Sequence, residues 1–291
     1  MRSGLARWGL LLLVAVPAAL AASGGQTMQS QARPAGFPTV HAHRGASAVA
    51  PENTLAAFRR AIQMGAEALE MDLQLTKDGQ VVVIHDATLD RTADRPGRLA
   101  DLTLAEVKQA DAGVRRGPAF QGERIPTLAE VIRLVKAEGA GRVRLNLELK
   151  YHTDRALAPP PDLERQALAV LREHDFLSRV LMQSFHHAVL PRIKALAPAI
   201  PTGTLVNTRE YPADPVGLVR RYGATYFAPE FRAVRGQDVT ALHAAGIPVV
   251  TWTVNEPADM QRLLDLGIGQ LLGDGIISDH PDRLAALRPR G

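Results

Sequence analysis

One segment in the first third of the chain contains two histidines, an arginine and several carboxylates close together in sequence. Such side chains can hold a divalent cation and hydrolyse a phosphate ester. Carboxylates bind hard cations, arginine neutralises phosphate oxygens, and histidine transfers protons near neutral pH. The segment contains the motifs His43-Arg44-Gly45, Pro51-Glu52-Asn53-Thr54, Glu70-x-Asp72 and His85-Asp86.

The spacing of the acidic residues predicts that they converge. Glu70 and Asp72 lie two residues apart, so their side chains share one face of a strand. The same spacing puts Glu148 and Lys150 on one face of a later strand. Three converging carboxylates repel one another unless a cation lies between them. Because the chain has no cysteine, we expect one Ca²⁺ or Mg²⁺ ion, with Mn²⁺ and Zn²⁺ as alternatives.

Each of these residues also has an ordinary structural interpretation. A lone Glu-x-Asp is usually a solvated strand edge, His43 alone could be a core histidine, and Arg44 a surface cation. The adjacent Gly45 favours a binding role, because glycine lets the backbone approach a ligand closely. Asp86 is as consistent with capping a turn as with a role in the site. Trp252, at a strand end, is either core or a wall of a substrate pocket.

The composition favours one large α/β domain over two small ones. The chain has 291 residues, of which 46% are hydrophobic and 22% charged, and this balance is not that of a disordered protein. The absence of cysteine excludes disulfides and thiolate metal sites. No basic aromatic patch is present, so nothing indicates nucleic-acid binding. The sequence carries no signal for an oligomeric state.

The first residues resemble a secretory signal. In residues 1–22 a short basic start precedes an apolar run that ends in small residues, which predicts cleavage near Ala21 or Ala22. The run is short for a membrane span, so we expect export to the periplasm or the medium without stable membrane association. Residues 23–37 are predicted to be a disordered leader, and residues 38–291 the folded domain.

From Thr39 onward, short apolar runs alternate with amphipathic helical patterns. This alternation predicts a single-domain (β/α)8 TIM barrel, with a doubly wound open sheet as the alternative. The ends of the strands would then bring the polar residues together at the barrel mouth. The candidate strands are Thr39–His43, Ala68–Leu75, Val81–His85, Val143–Leu149, Val180–Ser184, Thr202–Val206, Thr225–Ala228, Pro248–Val254 and Gln270–Leu272.

The sequence has nine candidate strands, whereas the barrel has only eight. A hairpin signal indicates which of the nine strands lies outside the barrel. Asp78-Gly79 is a strong signal for a two-residue hairpin loop. In that register Asp72 faces His85. We predict that the hairpin projects over the mouth and is followed by a small insertion, with both of its strands in the barrel as the alternative.

The motifs together resemble the glycerophosphodiester phosphodiesterases. The resemblance runs in family order from about Val40 to Pro281 and is too specific to arise by chance. It rests on the motifs above and on His85-Asp86-x-x-Leu89-x-Arg91-Thr92, Glu148-x-Lys150, Ser184-Phe185, Trp252-Thr253-Val254-Asn255 and Asp274-Gly275-Ile276-Ile277-Ser278-Asp279.

The resemblance implies a (β/α)8 barrel that hydrolyses small glycerophosphodiesters to sn-glycerol 3-phosphate and an alcohol, with a divalent cation. It also implies a role for each matching residue. The catalytic histidines are His43 and His85, the metal ligands are Glu70, Asp72 and Glu148, the substrate-binding residues are Arg44, Lys150, Phe185 and Trp252, and Glu52 lies near the metal in a supporting or direct role.

The residue types fit this chemistry independently. A phosphodiester needs positive charge on its oxygens, one group that activates a nucleophile and another that protonates the leaving alcohol. Two histidines can perform these two proton transfers, with water or the glycerol 2-hydroxyl as the nucleophile. The alternatives are a phospholipase C or D acting on intact or lyso-phospholipid, and a protein that binds phosphodiesters without cleaving them. Loops 91–121 and 151–161 would set the preference for the alcohol.

Overall fold

Eight strands form a nearly closed parallel barrel, and a further strand pairs outside it. The structure is a computed structural model, which describes Met1 and residues 36–151 and 162–289. Apart from Met1, the predicted signal peptide lies outside the described residues, and so does the predicted leader except for its last two residues. Within the described ranges the strands are β1 (Thr39–Ala42), β2 (Ala68–Leu75), β3 (Val81–Val83), β4 (Arg144–Leu149), β5 (Val180–Ser184), β6 (Thr202–Val206), β7 (Tyr226–Pro229), β8 (Val250–Thr251) and β9 (Gly275–Ser278).

The strand order confirms the predicted barrel. Neighbouring strands run β7-β6-β5-β4-β2-β1-β9-β8, and β3 pairs only with β2. Parallel bridges from Phe227 to Val249 and from Glu230 to Trp252 bring the two ends of this order together. The doubly wound open sheet is therefore wrong, and β3 is the extra strand, as the hairpin signal predicted.

Helices follow the barrel strands and cover their outer faces. Capping residues define where several begin: the Thr54 side chain accepts a hydrogen bond from the Ala57 amide, and Thr127 forms a capping box with Glu130. No helix within the described ranges has the length and apolar character needed to cross a membrane. The helices are α1 (Leu55–Gln63), α2 (Leu104–Val107), α3 (Leu128–Glu138), α4 (Leu163–Glu173), α5 (Val189–Leu196), α6 (Pro215–Arg221), α7 (Gly236–Ala244), α8 (Pro257–Asp265) and α9 (Pro281–Ala286).

The two faces of the barrel wall differ in chemistry. Along β2 the leucines and the methionine pack with the helices in the outer core, while Glu70 and Asp72 alternate with them and face inward. Inside the barrel, an apolar cluster that includes Leu181, Leu205 and Tyr226 fills the opposite side. Buried charges therefore gather on one half of the barrel interior.

The hairpin between β2 and β3 has a three-residue loop, so the predicted two-residue loop is wrong. Leu75 pairs with Val81, and the Thr76 amide donates to the carbonyl of Gln80 at 3.0 Å. Gly79 adopts a positive φ of 75° inside the loop. Counted from this register, Ile84 faces Asp72 and donates to its carbonyl at 3.0 Å. His85 lies one residue further on.

The last barrel strand is Gly275–Ser278 rather than the predicted Gln270–Leu272. Leu272 is 76% exposed, and the backbone around it turns through glycines with positive φ. The Asp274 carboxylate fixes this turn, because it accepts hydrogen bonds from the amides of Gly269 and Leu271. A short apolar pattern between glycines is thus a loop, and the strand begins after Asp274.

The small insertion predicted after the His85 strand is present between β3 and α3. It contains α2 and the 3₁₀ turns Leu99–Asp101, Val114–Arg116 and Pro118–Phe120. It has an apolar cluster of its own, in which Leu89, Leu99 and Val107 pack with Val82 and Ile84 of the hairpin. The extra strand thus anchors the insertion to the barrel.

Candidate active site

Three buried carboxylates meet at the mouth of the barrel. Glu70 and Asp72 come from β2 and Glu148 from β4, and the strand register pairs Asp72 directly with Glu148. Each offers an oxygen within 4.8 Å of the others, and the three residues are 2%, 1% and 8% exposed. The sequence predicted this cluster from spacing alone.

The electrostatics of the cluster suit a bound cation. Burial, reinforced by the charge of Asp72, raises the pKa of Glu70 to about 8. Burial also raises the pKa of Glu148. For Asp72 burial acts in the same direction, but the charges of Arg44 and Lys150 outweigh it and lower its pKa to about 2. Such mutual repulsion is relieved by a cation among the oxygens, and three carboxylates suit a hard divalent ion.

Two basic side chains border the carboxylates. The Arg44 amide donates to Glu70 at 3.0 Å, and its guanidinium lies 3.2 Å from Asp72. Lys150 donates to Glu148 at 2.7 Å and lies 3.7 Å from Asp72. A metal and two cations around one space would neutralise the oxygens of a phosphate group.

His43 is held by a carboxylate that directly follows the last barrel strand, β9. Its Nδ1 lies 2.6 Å from Asp279, which also accepts from Ser47 at 2.8 Å and from Asn255 at 2.6 Å. Burial alone would lower the pKa of His43, but the hydrogen bond to Asp279 and the charge of Glu70 raise it above its usual value. Since Asp279 is ionised, Nδ1 carries the proton and Nε2 is the nitrogen that can react.

His85 is held by its own neighbour in the insertion. Its Nδ1 lies 2.6 Å from Asp86, and Arg91 donates to the same carboxylate at 2.5 Å. Arg91 also forms two hydrogen bonds to Glu52, at 2.7 and 2.8 Å, and Glu52 accepts from Arg44 at 2.9 Å. A continuous chain of charged groups thus connects His85 with the arginine at the carboxylate cluster.

Aromatic residues form one side of the mouth. Phe185 follows β5 and is 39% exposed, and its ring meets that of Trp252 edge-on at 5.5 Å. The Trp252 indole donates to the carbonyl of Ala228 at 2.9 Å, and Lys150 Nζ lies 6.0 Å from the Phe185 ring. The predicted substrate-binding residues therefore lie beside the carboxylates, with apolar surface on one side and charge on the other.

The structure describes the surroundings of two further predicted residues. Glu52 lies between the guanidinium groups of Arg44 and Arg91 and outside the group of three carboxylates, a position compatible with the supporting role. Gly45 packs against helix α1, whereas we expected it to leave room for a ligand. A Cβ at this position would lie 2.7 Å from the backbone of Ala57.

Several residues that support the site have no role predicted from the sequence. Asp279 and Asn255 occur in the sequence only as parts of motifs, and the sequence alone allows two interpretations of Asp86. Asn53, which donates to Asp72 at 2.8 Å, was likewise unassigned. Asp86 and Asn53 adjoin predicted site residues, which is a usable signal. Asp279 is far from His43 in the chain, and only the pairing of β1 with β9 brings them together.

Comparison with known proteins agrees with this geometry. A glycerophosphodiester phosphodiesterase of Caldanaerobacter subterraneus subsp. tengcongensis is 38% identical over 252 residues, covering 87% of this chain and 98% of the relative. A phosphodiesterase of Oleispira antarctica, solved in complex with the product sn-glycerol-3-phosphate, is 34% identical with a TM-score of 0.75, and the match covers 86% of this chain and 96% of the other.

A glycerophosphodiester phosphodiesterase from Agrobacterium tumefaciens shares the fold with a TM-score of 0.70 at 26% identity, and the match covers 86% of this chain and all of the other. The sequence model of one family, described as the glycerophosphoryl diester phosphodiesterase family, matches residues 43–283. On the evidence of its barrel, its mouth and these similarities, the chain is a member of the glycerophosphoryl diester phosphodiesterase family.

Proposed function

We propose that this protein hydrolyses glycerophosphodiesters to sn-glycerol 3-phosphate and an alcohol, and that it requires a divalent cation. The observation that carries the proposal is the pair of oriented histidines beside the carboxylates. His43 and His85 each direct Nδ1 to an aspartate at 2.6 Å, so each has its Nε2 available for proton transfer. A protein that only bound phosphodiesters would not need two such pairs.

Two basic side chains at the barrel mouth can bind the phosphate group of the substrate. A phosphodiester resists attack because its anionic oxygens repel a nucleophile, so positive charge must lie against them. Arg44 offers a planar fork and Lys150 a point charge, and both are already fixed by the carboxylates. Their place at the edge of the cluster supports phosphate binding next to the metal ligands.

The carboxylates Glu70, Asp72 and Glu148 would hold the cation. When bound, a divalent ion at this place supplies Lewis-acid polarisation of the phosphoryl group. The two histidines of the chain carry out the proton transfers. One histidine removes a proton from water or from the glycerol 2-hydroxyl, and the other donates a proton to the departing alcohol oxygen. Attack by the 2-hydroxyl forms a cyclic glycerol phosphate, which water then opens to give sn-glycerol 3-phosphate.

A release assay tests the proposal directly. Glycerophosphocholine, glycerophosphoethanolamine and a lysophospholipid are compared after chelation, and Ca²⁺, Mg²⁺ or Mn²⁺ is then restored one at a time. We expect cleavage of the first two, lost on chelation and restored by metal. Activity that is unchanged after chelation would overturn the metal requirement. Faster cleavage of the lysophospholipid than of the other two substrates would favour the phospholipase alternative.

Histidine variants test the acid–base roles. His43→Ala and His85→Ala should each lower turnover at least about a hundredfold, which is the usual contribution of general acid–base catalysis. Retention of turnover in both variants would contradict the assignment.

We also propose that the protein is exported with its signal removed near Ala21 or Ala22. The basic start and the apolar run of residues 1–22 support this. Cell fractionation followed by N-terminal sequencing of the mature protein tests it, and an intact Met1 on the cytoplasmic fraction would contradict it.

A further inference from the structure

Gln183 is a buried polar residue at the barrel mouth that the chemistry above does not use. It is the penultimate residue of β5 and only 1% exposed. Its carbonyl oxygen Oε1 is enclosed and has no hydrogen-bond partner among the described residues. A buried acceptor left unpaired is costly, so such groups in native proteins are nearly always paired with protein, water or ligand.

The strand register places Gln183 beside the metal ligands. It pairs with Glu148 on one side and with Gly203 on the other, and paired residues of adjacent strands point to the same face. Phe185, which contacts Trp252, comes two residues later in the chain, directly after the end of β5. Gln183 therefore lies on the inner face of the barrel wall, on the side of Glu148 away from β2.

The chemistry of an amide favours a hydroxyl partner over a second role at the metal. A hydroxyl both donates to a carbonyl oxygen and accepts from an NH₂ group, so one hydroxyl can satisfy both ends of the amide. A cation would attract only the oxygen and repel the NH₂ group. The metal carboxylates come from β2 and β4, whereas Gln183 is on β5.

We propose that Gln183 binds a hydroxyl of the glycerol part of the substrate and so determines specificity for polyol phosphodiesters. This inference rests on the proposed function, since it assigns the glycerol side of that substrate to the β5 side of the mouth. The reacting phosphate would then lie between this hydroxyl site and the cations Arg44 and Lys150.

A binding experiment tests the inference without turnover. The Kd of the metal-loaded protein is measured by calorimetry for sn-glycerol 3-phosphate and for propyl phosphate, which lacks the hydroxyls. In Gln183→Met, which keeps the chain length but removes the amide, the Kd for sn-glycerol 3-phosphate should rise about tenfold. The Kd for propyl phosphate should not change.

Thr204→Val is the matched control. Thr204 also carries a buried oxygen without a partner in the described structure. It follows Gly203 on β6, so its side chain points to the opposite face of the sheet, away from the mouth. The variant should leave both Kd values unchanged.

Folding and metal binding are checked in the same proteins. Replacing an unpaired buried amide by an apolar chain of similar length should leave the melting temperature equal or higher. The affinity for Mg²⁺ or Ca²⁺ alone should be the same in Gln183→Met and the unmodified protein.

Three results would overturn the inference. One is an equal rise of both Kd values in Gln183→Met, and another is a weakened metal affinity, which would make Gln183 a metal ligand instead. The third is an unmodified protein that binds sn-glycerol 3-phosphate no more tightly than propyl phosphate. Loss of the proposed function is recognised separately, by the failure of the unmodified protein to cleave any glycerophosphodiester.

Discussion

Substitution of Asp279 by asparagine should reverse the proton arrangement of His43. In the native protein Asp279 Oδ2 accepts from Asn255 Nδ2 at 2.6 Å, while Oδ1 faces His43 and the Ser47 hydroxyl. Asn255 cannot turn over, because its own oxygen accepts from Ser278 and from the Asp279 amide. The new amide must therefore present its oxygen to Asn255 and its NH₂ group to His43.

The expected loss follows from that geometry. With an NH₂ donor at Nδ1, neutral His43 carries its proton on Nε2 and cannot accept one there. Without the Asp279 charge its imidazolium is also less stable, so His43 is impaired as a base and as an acid. General acid–base catalysis contributes about 10²- to 10⁴-fold. We expect Asp279→Asn to lower kcat at least about a hundredfold, or about 2.7 kcal/mol of activation free energy.

Two measurements separate this cause from damage to the site. Nitrogen-15 spectra of labelled histidines report which ring nitrogen of His43 carries the proton. Metal affinity should be unchanged, because Asp279 is not one of the three clustered carboxylates. Ser47→Ala, which keeps the carboxylate, should lower kcat less than about tenfold. A folded Asp279→Asn protein with kcat within about threefold of the unmodified enzyme would refute the reasoning.

The remaining predictions concern the metal, the insertion and the barrel interior. Glu70→Gln removes the charge of a proposed metal ligand. Loss of a residue that only supports a ligand weakens metal binding about 10- to 100-fold, so this variant should weaken it more. Calorimetry with Mg²⁺ or Ca²⁺ checks this, and an unchanged affinity would contradict the metal site. Arg91→Lys replaces the paired hydrogen bonds to Glu52 by a single point charge, so kcat should fall about tenfold in steady-state assays, whereas full activity would show that the pairing is dispensable. Gly203→Ala would place a Cβ 2.1 Å from the ring of Tyr226, and urea unfolding should show a loss of about 1–3 kcal/mol of stability; an unchanged midpoint would mean that the ring moves freely.

The sequence predicted those parts of the molecule that depend on local pattern. Alternation within β2 and β4 placed Glu70, Asp72 and Glu148 on common faces, and the strand-then-helix order predicted the barrel. The Asp78-Gly79 pair predicted a hairpin but not its loop length. The third loop residue changed the register by one position, so Ile84 rather than His85 faces Asp72.

The sequence predicted less where distant segments decide the structure. The partner of His43 is Asp279, and their contact depends on the closure of the barrel between β1 and β9. The strand at Gly275–Ser278 was missed because an apolar triplet just before it matched the strand pattern as well. The hydrogen bonds that Asp274 accepts from the preceding turn, which help to distinguish loop from strand there, are not readable from the sequence pattern.

Because β3 lies outside the barrel, the two histidines belong to different parts of the fold. His43 follows a strand of the barrel, whereas His85 belongs to the insertion, which has its own small apolar cluster. Regions with small cores open at lower free energy than the whole domain. On heating, we expect the insertion to open first and carry His85 away while the barrel persists. Thermal inactivation would then precede the loss of barrel secondary structure.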